Sequence, residues 1–256
     1  MSQNFKNIPK DIILKLPQVS SIEKDQIHFL VSIPWNDKYF KIVPNDLLSF
    51  FKYILPYLHF RTTDVHTSIS LSFIEGIIDK LNNVRINKRL VGVSLILHDT
   101  GWSKLSNEEI AQSLGIKGLK LNEKALGLKE KHAIEGEKIS RKILERYKFD
   151  PPFTEEEKNL VCKAVLFHDK PEEITQNGGT PIEVKLVVDL DHLWSFSREG
   201  FWLDTFRKGI TPKEYLNNLN RDLEEYFTTK EGREKARELL EDRKKEIEKL
   251  RLKSNN

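Results

Sequence analysis

The run Val91–Leu97, VGVSLIL, is apolar on nearly every side of a helix and leads directly into His98 and Asp99. A helix without a polar face must be central, covered all round by other elements. The rest of the chain therefore has to supply a shell of helices. The imidazole and carboxylate at the end of that helix also need a reason to be there, because a buried charge costs several kcal/mol unless it is paired or metal-bound.

The shell is visible in the pattern. Pro44-Asn45-Asp46 opens a helix with Leu47, Leu48, Phe50, Phe51, Ile54 and Leu55 on its packed face, and Pro56 stops or kinks it. Residues 64–81 place Val65, Ile69, Phe73, Ile77 and Leu81 at helical spacing. Ser106 with Glu109, and Thr154 with Glu157, form capping boxes for a short helix ending near Gly115 and for a helix ending near His168. Residues 130–147 and 181–197 are further helices, and Thr211-Pro212-Lys213-Glu214 is a strong helix start. Only the proline-broken segment 1–45 departs from this, with short strands expected around Ile27–Ile33 and Tyr39–Val43. The expectation is an all-α fold: an irregular N-terminal extension over 1–45, a helical core over 46–228, and a charged C-terminal helix over 229–256. In that last helix Leu239, Leu240, Ile247 and Leu250 make a narrow stripe that can dock on the body or on a partner, so a homo-oligomer is compatible with it.

Charge narrows the partners. The 42 basic and 39 acidic residues nearly cancel, which gives no strong pull toward nucleic acid or an anionic membrane. The N-terminus lacks the apolar core of a signal peptide, and no apolar run approaches the length of a membrane span. Cys162 is the single cysteine, so no intrachain disulfide forms. A cytoplasmic protein is the expectation.

The chemistry is carried by the spacing of histidines. His66 to His98 is 32 residues, Asp99 to His132 is 33, His132 to His168 is 36, and His168 to Asp191 is 23. Each interval is about one helical hairpin, so helices of a bundle can bring these side chains to one pocket, the usual origin of a metal site in helical proteins. A mixed His/Asp set suits Mn, Fe, Co, Ni or Zn better than Ca, with Mg also admissible.

The ordered pattern His…His-Asp…His…His…Asp resembles the HD superfamily of metal-dependent phosphohydrolases over about residues 60–200. The runs HDTG at His98–Gly101, HAIEGEKISRKIL at His132–Leu144 and VVDLDHLWS at Val187–Ser195 carry the likeness. The resemblance implies a helical HD-domain bundle in which His66, His98, Asp99 and Asp191 ligate a first metal ion. His132 and His168 match the extra histidines of binuclear members, with Asp99 bridging, so one or two divalent ions are implied. Asp191 is preferred to Asp189 because Leu193 follows it by two residues, as in the family, and residues two apart on a helix cannot both point inward. The sequence departs from many binuclear relatives in carrying Asp169 where a second His stands, and Trp102 where some branches have Lys.

The implied activity is hydrolysis of a phosphate ester or phosphoanhydride, on a nucleotide or other small phosphorylated molecule. A cation held by neutral imidazole and carboxylate lowers the pKa of its water, and the resulting hydroxide attacks phosphorus in line. Asp169 is the candidate to orient the nucleophile or to act as acid or base, and Lys104 and Arg198 are the candidate phosphate contacts, with Lys170 and Arg61 behind them. His28, His59 and His192 are read as non-ligands, and the aromatic stretch Leu193–Phe206 as core or as a wall of the pocket. Two other readings stay open: an HD-type mixed-valence di-iron oxygenase acting on a small polar substrate, and a helical binding module whose site has degenerated.

Overall fold

The structure is a computed structural model, and it describes residues 8–15, 31–81, 84–113, 123–176 and 178–254. Among these the chain is helical throughout and contains no strand. Helix α4 (Lys88–Leu97) lies at the centre, in contact with α1 (Leu48–Leu58), α2 (Thr63–Ser72), α7 (Glu155–Phe167) and α9 (Ile182–Phe196). Its residues Leu90, Val91, Val93, Leu95, Ile96 and Leu97 are all buried, as a helix apolar on all sides requires. Each side chain of this kind contributes about 1.5–3 kcal/mol on burial.

Outside this centre, α6 (Glu123–Arg146) packs on α7 and on the 3-10 turn Thr100–Lys104, with α5 (Asn107–Ser113) beside it. The short α8 (Pro171–Gln176) packs on α7 and α9. Helices α10 (Arg198–Arg207), α11 (Pro212–Glu225) and α12 (Lys230–Ser254) finish the bundle on the other flank of α9. The capping boxes at Thr154–Glu157 and Thr211–Glu214 are both formed, and Ser106 and Glu109 exchange the same reciprocal bonds. Helix α12 docks on the body: Ala236 and Leu240 are buried, and Leu239, Ile247 and Leu250 pack against the same core.

Three expectations change. The strand expected at Tyr39–Val43 is instead a 3-10 turn, Asp37–Ile42, started by the Asn36 side chain accepting from Lys38 N at 3.1 Å. Of the other expected strand, residues 27–30 lie outside the described residues, and Ser32 makes only an isolated antiparallel bridge with Lys15. The helix expected over 64–81 breaks at Phe73 into α2 and α3 (Ile74–Ile78), where Ser72 Oγ donates to Ile69 O at 2.6 Å and competes with the backbone ladder. Gly115, the expected end of α5, lies outside the described residues. Pro56 falls within the last turn of α1, which ends two residues later.

Candidate metal centre

Two glycines let the site assemble. A Cβ on Gly101 would run into the His132 carbonyl and the Gly136 amide, so only glycine lets the turn after His98-Asp99 press on α6. A Cβ on Gly136 would stand 3.3 Å from the His98 carbonyl. The close approach carries His132, on α6, to the end of α4.

Around that point the chain gathers side chains from five elements. His66 comes from α2, His98 and Asp99 from the end of α4, His132 from α6, His168 and Asp169 from the end of α7, and Asp191 from α9. Two triads share Asp99: His66, His98 and Asp99, then Asp99, His132 and His168. His168, Asp169 and Asp191 form a third group, and within each group the ligating atoms lie within 4.8 Å of one another. His98, Asp99, His132 and His168 are buried, and the side chains of His66 and Asp191 are only 12% and 11% exposed.

The local bonds of the imidazoles suit ligation. His98 Nδ1 donates to Leu95 O at 2.6 Å and His168 Nδ1 to Val165 O at 2.7 Å, which turns each Nε2 toward the cluster. His66 Nε2 stands 2.9 Å from Asp191 Oδ1, and His98 Nε2 stands 3.2 Å from the same oxygen. Neither nitrogen is aligned for a hydrogen bond, and both are buried without a partner. His132 Nε2 and His168 Nε2 are 3.2 Å apart, each 3.6 Å from Asp99 Oδ1. Buried polar atoms that converge without satisfying one another are what a cation would complete, so the donor set fits a metal.

The charges in the cluster act directly on one another. Burial works against protonated His66, but Asp191 and Asp99 outweigh it and push its pKa up to about 9. Burial likewise opposes ionised Asp99 and Asp191, yet the surrounding imidazoles hold both well below the usual carboxylate range. His132 is driven down to about 4 by burial and by the neighbouring His168. Asp169, opposed by burial but facing His168 and Lys129, falls to about 2.

A family description named HD domain matches residues 63–194, just over half of the chain. The chain belongs to the HD-domain family. No curated protein and no solved structure matches it. The family generally comprises metal-dependent phosphohydrolases that bind divalent metal ions and act on phosphorylated small molecules. The all-helical bundle is the fold expected of an HD domain, and no helix among the described residues is long and apolar enough to cross a membrane.

The HD cluster opens into a cavity of about 380 Å³. His66, Asp99, His168, Asp169 and Asp191 form its inner end, with Arg61 and Lys129 also lining it. Two expected phosphate contacts, Arg198 and Lys104, lie away from this cavity. Arg198 does not line this cavity: its guanidinium is held by Asp11 at 2.6 and 2.8 Å and by Glu246 at 2.6 Å, pinning the N-terminal extension to α12. Lys104 is exposed at the end of its turn and is also absent from the cavity wall. Lys170 sits near Glu130 and Glu173.

The part played by Trp102 was not legible in the sequence, whereas Arg61 and the aromatic stretch Leu193–Phe206 were among its candidates. Trp102 is fully buried, donates its indole N–H to Asp99 Oδ1 at 2.9 Å, and stacks on His132 at 4.1 Å with a 12° interplanar angle. The signal was the three-residue offset from Asp99, since an indole nitrogen can only donate. Arg61 lies over the same indole, 4.4 Å from its centroid. Trp194 stacks on His66, at 5.1 Å and 24°, so at least this aromatic residue walls the pocket, whereas Phe201 and Trp202 belong to the core.

Arg61 and Thr62 adopt left-handed backbone, with φ of 56° and 69°, an uncommon and strained state for non-glycine residues. The buried guanidinium of Arg207 holds this turn, donating to Arg61 O and Thr62 Oγ1 at 3.2 Å each and to Val31 O at 2.8 Å. His192, read as a non-ligand, donates Nδ1 to Val188 O at 2.8 Å and stacks on Tyr226, yet its side of α9 also lines the cavity.

Proposed function

We propose that this HD protein hydrolyses a small phosphate ester or phosphoanhydride, with His66, His98, Asp99 and Asp191 holding one divalent ion and Asp99, His132 and His168 a second. The observation that carries the reading is the pairing of a metal-suited His/Asp cluster with a cavity that Arg61 and Lys129 also line, neither engaged in an ion pair with any described residue. When bound, the ions supply Lewis acidity toward the phosphoryl oxygens and acidify a water.

The remaining work falls to the chain. Arg61 and Lys129 bind the anionic phosphoryl oxygens and offset the charge that grows on them. Arg61 does so from a turn that the buried Arg207 fixes, which limits the entropy lost on binding. Asp169, 3.8 Å from His132 Nε2 and 4.0 Å from His168 Nε2, stays ionised and orients the attacking water by accepting one of its hydrogens. The water oxygen bonds to phosphorus, the ester P–O bond breaks, and the departing oxygen leaves with a proton drawn from that water. Trp102 holds Asp99 in its orientation throughout by the indole hydrogen bond.

The test begins with elemental analysis of protein purified without chelator. It continues with phosphate release from phenyl phosphate and a nucleotide panel in the presence of Mn, Fe, Co, Ni or Mg. Turnover that disappears on chelation and returns with metal is expected, and Asp99→Ala should lose both metal and turnover. Retained activity in metal-free Asp99→Ala protein refutes the reading. Oxygen uptake by iron-loaded protein, with no phosphate release, would replace it with the oxygenase alternative.

A further inference from the structure

The inner end of the cavity accounts for a phosphoryl group and its cations, and the remaining wall is built from a different part of the chain. Asp204 and Lys208 at the end of α10, Asp222 on α11 and Tyr226 just after it line the outer part. All four lie beyond residue 194, where the match to the family ends. This wall therefore lies outside the segment that defines the family and is where a preference for the non-transferred part of a substrate can reside.

Most of its polar groups are already engaged. Arg207 is committed to the Arg61-Thr62 turn and to Val31. Asp204 accepts from Tyr215 Oη at 2.8 Å and has Lys208 Nζ at 3.8 Å. Asp222 differs: its side chain is half-buried, and among the described residues its carboxylate has neither a hydrogen bond nor an ion pair. Tyr226 is 36% exposed and stacks on His192 at 5.0 Å, adding an aromatic surface beside that carboxylate.

The geometry points to Asp222 as the specificity-determining residue of an outer subsite for a hydroxyl-bearing, sugar-type leaving group, its carboxylate accepting from the hydroxyls beside the Tyr226 ring. This rests on the phosphoester reading of the inner end. An unpaired carboxylate partly withdrawn from water rejects an apolar group, which would leave it unsatisfied. Burial raises the Asp222 carboxyl above its ordinary range, with Lys208 only partly opposing it, so a neutral hydroxyl donor suits the group. A paired acceptor for vicinal hydroxyls is the same chemistry by which an acidic side chain holds a ribose in dinucleotide-binding folds.

The experiment compares three phosphomonoesters on metal-loaded, full-length protein: ribose 5-phosphate, pentyl phosphate and 5-aminopentyl phosphate. Ribose 5-phosphate should exceed pentyl phosphate in kcat/KM by about 100-fold or more, because a site built to hydrogen-bond hydroxyls discriminates strongly against analogues lacking them. Asp222→Asn should lower that ratio at least tenfold, and Asp222→Ala should bring it near one. Calorimetric titration with the matching non-hydrolysable phosphonates reads the same ratio without turnover. If binding shows the Asp222-dependent preference while none of the esters, nor phenyl phosphate, is hydrolysed, the subsite stands and the phosphohydrolase reading falls. Equal binding of the ribose and pentyl phosphonates, a preference unchanged in Asp222→Ala, or a preference for the aminopentyl compound overturns the subsite.

Discussion

Helix α9 buries an aspartate on each of two faces, and the two are treated in opposite ways. Asp189 receives four hydrogen bonds, from the backbone and hydroxyl of Thr228 and of Thr229, at 2.5 to 2.9 Å. Thr229 in turn accepts from Gly232 N at 3.0 Å, so Asp189 anchors the start of α12 to α9. A Cβ on Gly232 would collide with that carboxylate, which explains the glycine in the first turn of α12. Asp191, two residues on, meets imidazole nitrogens that are close but not aligned to bond it. One carboxylate is satisfied by the fold, and the other keeps its oxygens available to a ligand. Burial alone does not mark function; burial with unmet hydrogen-bonding capacity does.

The sharpest way to break this comparison is to neutralise each acid in turn. Asp191→Asn should reduce metal-dependent turnover by about 10³-fold or more and lower the bound metal, a loss of the size expected when a group acting only in the assembled site is removed. Circular dichroism should show the chain still folded. Asp189→Ala should do the reverse, costing about 2–4 kcal/mol by removing a buried acceptor for four donors. Metal per folded molecule should stay at the wild-type level. Loss of metal from Asp189→Ala without a fall in melting temperature would erase the distinction between the two faces.

Acidity gives a second handle. In the metal-free protein His66 holds its proton to about pH 9, so a metal must displace it. Metal affinity should rise about tenfold per pH unit for that proton between pH 6.5 and 9 and then level off, measured by competition with a chelator of known affinity. The stability of metal-free protein should run the other way. The contribution of the raised His66 pKa is fully present below the unfolded value of 6.5 and is lost as pH rises through about 9. That of Asp99 and Asp191 is present above 3.8 and lost as pH falls below it. Melting curves of chelated protein between pH 5 and 10 check the sign on the alkaline side.

Smaller effects sharpen the picture. Trp102→Phe keeps an aromatic ring against His132 but deletes the donor to Asp99, and should weaken metal binding about tenfold. Thr211→Ala, at the cap of α11, should cost about 1 kcal/mol and leave metal content unchanged. A thermal melt paired with metal analysis separates these two: the first variant moves chiefly the metal, the second only the melt.

The sequence by itself determined the helical class, the central place of VGVSLIL, the three reciprocal caps and the cluster of four histidines with Asp99 and Asp191. These were legible because each is written locally, in a 3.6-residue period, in a cap three residues from its partner, or in a short motif at a helix end. The docking of α12, the burial of Arg207 under a strained turn, the diversion of Arg198 to Asp11 and Glu246, the choice of Arg61 over Arg198 at the cavity, and the presence of Asp222 there were decided by the tertiary fold. Their partners lie tens to nearly two hundred residues away, and whether a charged side chain meets a phosphate, a carboxylate or solvent depends on which remote backbone folds beside it.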